Sequence, residues 1–326
     1  MNENYLQRIL SIQTPEQFEQ LALEAFQYQY TCNLVYKQFV DGLKVDAKQV
    51  KTLDKIPYLP ISFFKTHRIC TQTAEQIVFA SSGTTGTLQS KHFVSDLNFY
   101  QESYLACFEK FYGNPEDYCV LALLPSYMER EGSSLIYMVD DLIKRSKHSQ
   151  SGFFLHADEQ LIRILKEREV LGQKTLLIGV SFALLDFAQS NKLKLSNCII
   201  METGGMKGRG KEMIREELHE ILTTSFGADT IHSEYGMTEL LSQAYSAESG
   251  LFYCPPWMRV EAREIEDPMS NPLLEKTGSM HIIDLANINS CCFIAAQDLC
   301  KVYRNNSFEV LGRFDNSDIR GCNLLL

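Results

Sequence analysis

The ten cysteines include no Cys-x-x-Cys pair and no Cys/His cluster at zinc spacing, which argues against a zinc module or a thioredoxin-like redox pair. No apolar run approaches the length of a membrane span. The first ten residues mix Asn, Glu, Gln and Arg, so no secretory signal is expected. Neither an internal repeat nor a low-complexity tract is evident. Positive charge is short too. Lys and Arg number 31 against 41 Asp and Glu, for a net charge of −10. That balance disfavours a nucleic-acid or anionic-membrane surface, though not a local phosphate pocket. The expectation is a reduced, cytoplasmic protein whose thiols are mostly small core hydrophobes. Cys198, in Cys198-Ile-Ile-Met201, is one example, and Cys291-Cys292 read as a strand pair.

At 326 residues the chain is long enough for one large domain or two ordinary ones. Its most distinctive stretch is Val78-Phe-Ala-Ser-Ser-Gly-Thr-Thr-Gly-Thr-Leu-Gln-Ser-Lys91. An apolar lead-in runs into six residues that are only Ser, Thr or Gly. Gly83 and Gly86 permit turns that a Cβ would block. Ser81, Ser82, Thr84 and Thr85 add hydroxyls beside backbone N–H groups, a combination able to cradle a polyphosphate. It is not the common P-loop, which needs Lys-Ser or Lys-Thr directly after its second glycine. A Ser/Thr/Gly surface turn explains the composition equally well.

Thr14-Pro15-Glu16-Gln17 predicts a capped helix start, with Phe18, Leu21, Ala22, Ala25 and Phe26 on its packing face. Tyr28, Tyr30 and Tyr36 suit core packing. Pro57 and Pro60 favour an extended segment. Lys65, His67 and Arg68 suit either a phosphate or a solvated basic turn. Continuous apolar runs predict strands buried on both faces over 118–125, 175–180 and 197–203, with a further strand over 229–235. Helices are expected between them over 95–112, 133–147, 159–170, 182–189 and 211–225. Beyond Gly236 the texture turns to short strands over 258–265, 279–285, 292–296 and 308–311. This alternation predicts an α/β fold with doubly wound sheets and a smaller β-rich part. Three polar, glycine-containing stretches follow apolar strands, over 81–86, 203–205 and 235–239. Such strand-end loops are where ligands collect in open α/β sheets.

In this order the motifs resemble the acyl-adenylate-forming superfamily. Ser81-Ser-Gly-Thr-Thr-Gly86 looks like its phosphate loop, and Tyr235-Gly-Met-Thr-Glu239 like its Tyr-Gly-x-Thr-Glu motif. Asp298 follows the predicted strand 293–296 where the family keeps a ribose-binding Asp, and Gly312-Arg313-x-Asp315 resembles its hinge. The most similar subgroup is the acyl-protein synthetases of bacterial bioluminescence operons (LuxE type). Its features are matched by Leu124-Pro-Ser-Tyr127, Thr203-Gly-Gly-Met-Lys207 and the ending Asp318-Ile-Arg-Gly-Cys-Asn-Leu324. In most superfamily members a lysine stands where this chain has Gln89, and Lys91 is the nearest substitute. The resemblance implies the family's N-terminal-domain fold over 1–326 as a single domain, with its small C-terminal lid domain expected to be absent. Its expected parts are a helical segment 1–50, an α/β core 51–240, a β-rich part 241–311, and hinge and tail 312–326.

By the same resemblance the cofactors are ATP and Mg²⁺. Ser82, Gly83, Thr84, Thr85 and Gly86, with Lys91, would hold the β- and γ-phosphates. Glu239 would hold the metal and Thr238 the α-phosphate. Tyr235 and Gly236, with Gly204 and Gly205, would face adenine. Asp298 would take the ribose hydroxyls, and Arg313 is a second ribose or phosphate contact. Cys322 would accept the acyl group as a thioester, with Arg320 nearby to favour the thiolate. The implied substrate is a carboxylic acid, and an acyl reductase or acyltransferase is the implied protein partner. An acyl- or aryl-CoA ligase and a nucleotide-binding scaffold without chemistry are the alternatives.

Overall fold

A computed structural model describes residues 2–81, 88–125, 132–204 and 213–313. From the N-terminus the chain forms α1 (Asn2–Leu10), α2 (Pro15–Cys32) and α3 (Leu34–Gly42). The short β1 (Leu59–Pro60) and α4 (Phe63–Thr66) lead to a hairpin of β2 (Ile77–Ala80) and β3 (Lys91–Val94). Next come α5 (Leu97–Tyr112), β4 (Cys119–Leu123), α6 (Ser134–Arg145), β5 (Gly152–Phe154) and α7 (Glu159–Val170). The alternation continues through β6 (Thr175–Val180), α8 (Ser181–Ser190), β7 (Cys198–Thr203), α9 (Arg215–Phe226) and β8 (His232–Tyr235). Strands then dominate: β9 (Ala244–Ser246), β10 (Met258–Arg263), β11 (Thr277–Asp284), β12 (Phe293–Val302) and β13 (Phe308–Arg313). Among the described residues, no helix is long and apolar enough to cross a membrane.

The described residues fall into two compact units. One takes residues up to 103, then 239–242 and 253 onward; the other takes 104–238 and 243–252.

The second unit holds a six-stranded sheet of order β5-β4-β6-β7-β8-β9, parallel except for β9 at one edge. Every residue of β4 and β6 is buried, as their unbroken apolar runs require of strands with both faces covered. Each such Leu or Ile contributes roughly 2 kcal/mol of burial. From β4 the chain moves outward to β5, then crosses back to β6 and proceeds to β8. The switch point therefore lies between β4 and β6. The carboxyl ends of the parallel strands, at Leu123, Val180, Thr203 and Tyr235, share one sheet edge.

The first unit is built on β12. The sheet order is β1-β12-β11-β10, with β1 parallel to the first half of β12 and β13 antiparallel to its second half. The Thr14 capping box forms as its sequence predicts, and Phe18, Leu21, Ala22, Ala25 and Phe26 are buried. Gln29 of α2 is fully buried and satisfies the β11–β12 connection. Its amide donates to the carbonyls of Asn287 and Ile288 at 2.9 and 3.0 Å, and its oxygen accepts from the Cys292 N–H at 3.0 Å. Tyr36 packs in the core and donates to the Pro57 carbonyl at 2.7 Å.

Two expectations are corrected here. Cys291 and Cys292 are buried free thiols just before β12, in the connection that Gln29 holds, rather than a strand pair. Asp298 lies inside β12, which runs on to Val302 because β13 supplies ladder partners for its second half.

Candidate active site

In the first unit Glu239 is the central group. It sits in a turn after β8 and is 5 % exposed. Burial pushes its carboxyl above the ordinary range, while a hydrogen bond from Ser90 and the charges of Arg313 and Lys65 oppose the shift. Asp298, 7 % exposed, faces Arg313 across the β12–β13 ladder, with Arg313 Nε 3.1 Å from its Oδ1. Glu239, Ser90, Lys65, Arg313 and Asp298 thus form one polar cluster. Lys91 opens β3 opposite Ala80 and is exposed. The Ser81 N–H bonds the Ser90 carbonyl at 3.0 Å and the Ser90 N–H bonds Ser81 Oγ at 2.9 Å, extending the β2–β3 pairing by one step. Ser82, Gly83, Thr84, Thr85 and Gly86 lie outside the described residues, as do Gly205 and Cys322.

The turn carrying Glu239 is held from behind by groups that sequence reasoning missed. Asp284, fully buried at the end of β11, accepts from the N–H groups of Leu241 and Ser242 at 2.8 and 3.0 Å. It also accepts from the Ser242 hydroxyl at 2.6 Å and the Ala286 N–H at 3.1 Å. Trp257 Nε1 donates to Ser242 Oγ at 3.0 Å, and Asn287 Nδ2 donates to the Glu239 carbonyl at 2.9 Å. Asp284→Ala strips the acceptor from three buried N–H groups, so a loss of about 2–4 kcal/mol is expected in denaturant unfolding. A change under about 0.5 kcal/mol would mean that the turn does not depend on Asp284.

In the second unit the ends of β7 and β8 bring Thr203, Gly204, Tyr235 and Gly236 to one edge. Gly204 adopts φ +77°, open to glycine at little cost. The Tyr235 ring is half-buried, edge-on to Phe252 with centroids 6.0 Å apart. Gly236 cannot carry a side chain without movement, because a Cβ would stand 2.5 Å from Glu234 Oε1. Thr238 is half-buried in the turn that follows.

Two buried carboxylates on neighbouring strands also escaped the sequence reading. Burial pushes Glu202 up, but His219, Arg215, Ser181 and Ser233 outweigh it and hold the carboxyl at about 2. Its Oε2 accepts from Ser181 at 2.8 Å, and Arg215 Nε lies 3.3 Å from Oε1. Glu234, which accepts from the Thr203 hydroxyl, goes the other way. Burial first, then the charge of Glu202, pushes it up to about 7. The available signal was a Glu inside each of two strand runs, Met-Glu-Thr and Ser-Glu-Tyr, where an unpaired charge is costly.

The basic stretch before the glycine loop splits. Lys65 is close enough to act on Glu239. Arg68 is instead committed to Glu75 at 2.6 Å and stacks 4.5 Å above the Phe93 ring, and His67 stacks on Phe63. Arg313 pairs with Asp298 while its side chain stays largely exposed, and Asp315 lies outside the described residues.

Comparison with known proteins agrees with these motifs. The family described as "Acyl-protein synthetase, LuxE" matches residues 10–99. A long-chain-fatty-acid–luciferin-component ligase of Aliivibrio fischeri is 23% identical over 339 aligned residues, covering 94% of this chain and 86% of the relative. Among solved structures, an open conformation of 2-hydroxyisobutyryl-CoA ligase with 2-HIB-AMP and CoA superposes with a TM-score of 0.68 at 10% identity, over 92% of this chain and 70% of that one. ATP-bound MatB of Rhodopseudomonas palustris superposes with a TM-score of 0.55 at 17% identity, over 74% of this chain. The match spans about half (49%) of MatB's own length. The chain has the fold of the adenylate-forming ligases and is similar to the LuxE acyl-protein synthetases.

Proposed function

We propose that the protein activates a carboxylic acid of the fatty type with ATP, forming acyl-AMP and pyrophosphate, and then passes the acyl group to Cys322 as a thioester. The observation that carries this reading is Glu239, a buried carboxyl clustered with Asp298, Arg313 and Lys65 and backed by the Asp284 hydrogen bonds. An acid oxygen attacks the α-phosphorus, the bond to the β-phosphate breaks, and pyrophosphate leaves. Two anions must meet, so charge neutralisation and fixed geometry matter more than a strong base. Residues 82–86 and Lys91 bind the leaving phosphates, and Thr238 contacts the α-phosphate. Tyr235, Gly236, Gly204 and Gly205 hold adenine. Asp298 accepts the ribose hydroxyls, and Arg313 orients Asp298 and adds positive charge.

Among the described residues no group of three or more His, Cys, Asp or Glu could hold a metal. A single buried carboxylate fits Mg²⁺, which takes one or two carboxylates with phosphate oxygens and water. Bound at Glu239, the ion would neutralise charge building on the phosphates. In the second half-reaction the Cys322 thiolate, its proton lost to solvent, attacks the acyl carbonyl and AMP leaves. A thioester on a protein is a carrier state, so a reductase or acyltransferase that consumes it is the expected partner.

Acid-dependent exchange of labelled pyrophosphate into ATP, followed by acyl labelling of the protein, tests the reading. Fatty acids should support both steps. CoA-dependent AMP release with no protein label would select a CoA ligase instead. ATP binding without exchange for any acid in a fatty and aromatic panel would leave a scaffold.

A further inference from the structure

We propose that Asn287 and Gln29 are positioning residues for Glu239, two buried amides that relay the hold of helix α2 to the backbone of the turn bearing that carboxyl. The inference rests on the adenylation reading for the role of Glu239, while every member of the relay belongs to the first unit. The β11–β12 connection, residues 285–292, is irregular chain of the kind that ordinarily runs over a surface, where water satisfies its peptide groups. Here Asn289 is partly exposed and the other seven residues are buried. Their backbone polar groups therefore need partners within the protein. Gln29 supplies them from α2. Its Nε2 stands 2.9, 3.0 and 3.2 Å from the carbonyls of Asn287, Ile288 and Ser290, and its Oε1 accepts from the Cys292 N–H at 3.0 Å. Asn33, four residues on and fully buried, donates from Nδ2 to the Ser290 carbonyl at 2.9 Å. Its own Oδ1 caps α3 through the Tyr36 N–H at 3.1 Å.

The connection so gripped is the one that holds the Glu239 turn. Asn287 Nδ2 donates to the Glu239 carbonyl at 2.9 Å. Asp284, three residues earlier, accepts from the N–H groups of Leu241 and Ser242. Carbonyl and N–H groups of one turn are thus fixed from one buried segment. Asn287 is fully buried, and its Oδ1 has no hydrogen-bond partner among the described residues. An apolar side chain with the same branching would avoid that cost. What the amide adds is the Nδ2 donor that reaches Glu239. A reacting group misplaced by about 1 Å can lose on the order of 10²-fold in rate, so a partly loosened turn should lose about tenfold.

The experiment is a double-mutant cycle on the full chain, with Asn287→Leu, Glu239→Gln and the pair compared in acid-dependent pyrophosphate exchange. Asn287→Leu alone should lower kcat about tenfold, with KM for ATP within about threefold of wild type. Added to Glu239→Gln it should cost less than about threefold more, because the carboxyl that it positions is already gone. Gln29→Met should follow the same non-additive pattern, and Asn287→Ser replaces Asn287→Leu if the latter does not fold. On the same samples, amide hydrogen exchange at Leu241 and Ser242 should quicken more than in the β10–β11 ladder. An Asn287→Leu loss that multiplies in full with that of Glu239→Gln marks a general structural effect and overturns the inference. Exchange of pyrophosphate within about twofold of wild type also overturns it. Both results leave adenylation intact. No pyrophosphate exchange by the wild type with any acid overturns adenylation instead. The amide rates then decide the relay by themselves: quickening at Leu241 and Ser242 sustains it, and unchanged rates overturn it.

Discussion

Glu239→Gln is expected to lower pyrophosphate exchange by about 10²–10³-fold, the several kcal/mol that charge stabilisation at a reacting phosphate supplies. The amide keeps the side-chain shape and leaves the Asn287-to-carbonyl hydrogen bond untouched. Folding should not suffer, and the sign of the proton linkage says why. The Glu239 carboxyl is pushed up chiefly by burial. Its contribution to stability is therefore complete at low pH and is lost as pH rises through the elevated value. Glutamine carries no such loss, so the variant should be at least as stable as wild type at pH 8. An inactive but equally stable protein would separate chemistry from scaffold. Wild-type activity should also rise with pH as Glu239 ionises, and this acid limb should vanish in the variant. Exchange within about threefold of wild type would remove Glu239 from the chemistry.

Cys322→Ala is expected to abolish acyl labelling of the protein while pyrophosphate exchange continues. The other thiols argue for this by their surroundings. Cys107, Cys119, Cys291, Cys292 and Cys300 are fully buried. Burial pushes the thiols of Cys119, Cys198, Cys254, Cys291, Cys292 and Cys300 upward, Cys198 to about 12, so they are poor nucleophiles at neutral pH. Cys32 is exposed and Cys70 is half-buried, so these two are the competing acceptors. Peptide mapping of a hydroxylamine-labile label decides among them. Wild-type label in Cys322→Ala would transfer the acceptor role to another thiol.

Long, strongly patterned elements were legible in the sequence because one physical rule dominated each. The apolar runs of β4, β6 and β7 can only be strands covered on both faces. The predicted and observed spans of α7, 159–170 and Glu159–Val170, coincide where Asp158 caps the helix through the Leu161 N–H. Strands of two or three residues left no periodicity to read: β1, β5 and β9 owe their state to a neighbour's ladder. Helix α1 was expected only as part of the helical segment 1–50, and the structure sets its bounds, with Ile9 buried. In the polar cluster, Glu239, Asp298 and Arg313 are residues that the motifs single out in the sequence. Asp284, Glu202 and Glu234 are not, because their importance lies in what surrounds a buried carboxyl. Sequence spacing carries no trace of the four groups that converge on Asp284.

The pairing of Arg313 with Asp298 also pins the end of β13 to β12. Cys322 lies nine residues beyond Arg313, so its sulfur can range no farther than about 30 Å from that strand end. If Cys322 is the acceptor, as proposed, a thiol held within that radius would meet an acyl donor at an effective concentration on the order of millimolar. The Arg313 side chain is 69% exposed, leaving its bond to Asp298 open to screening by salt. If that bond loosens and β13 peels back towards Phe308, the stretch of sequence between the sheet and Cys322 lengthens from nine residues to fourteen. One surface ion pair would then bear on the reach of the proposed acceptor thiol, linking it to the residue proposed to hold ribose.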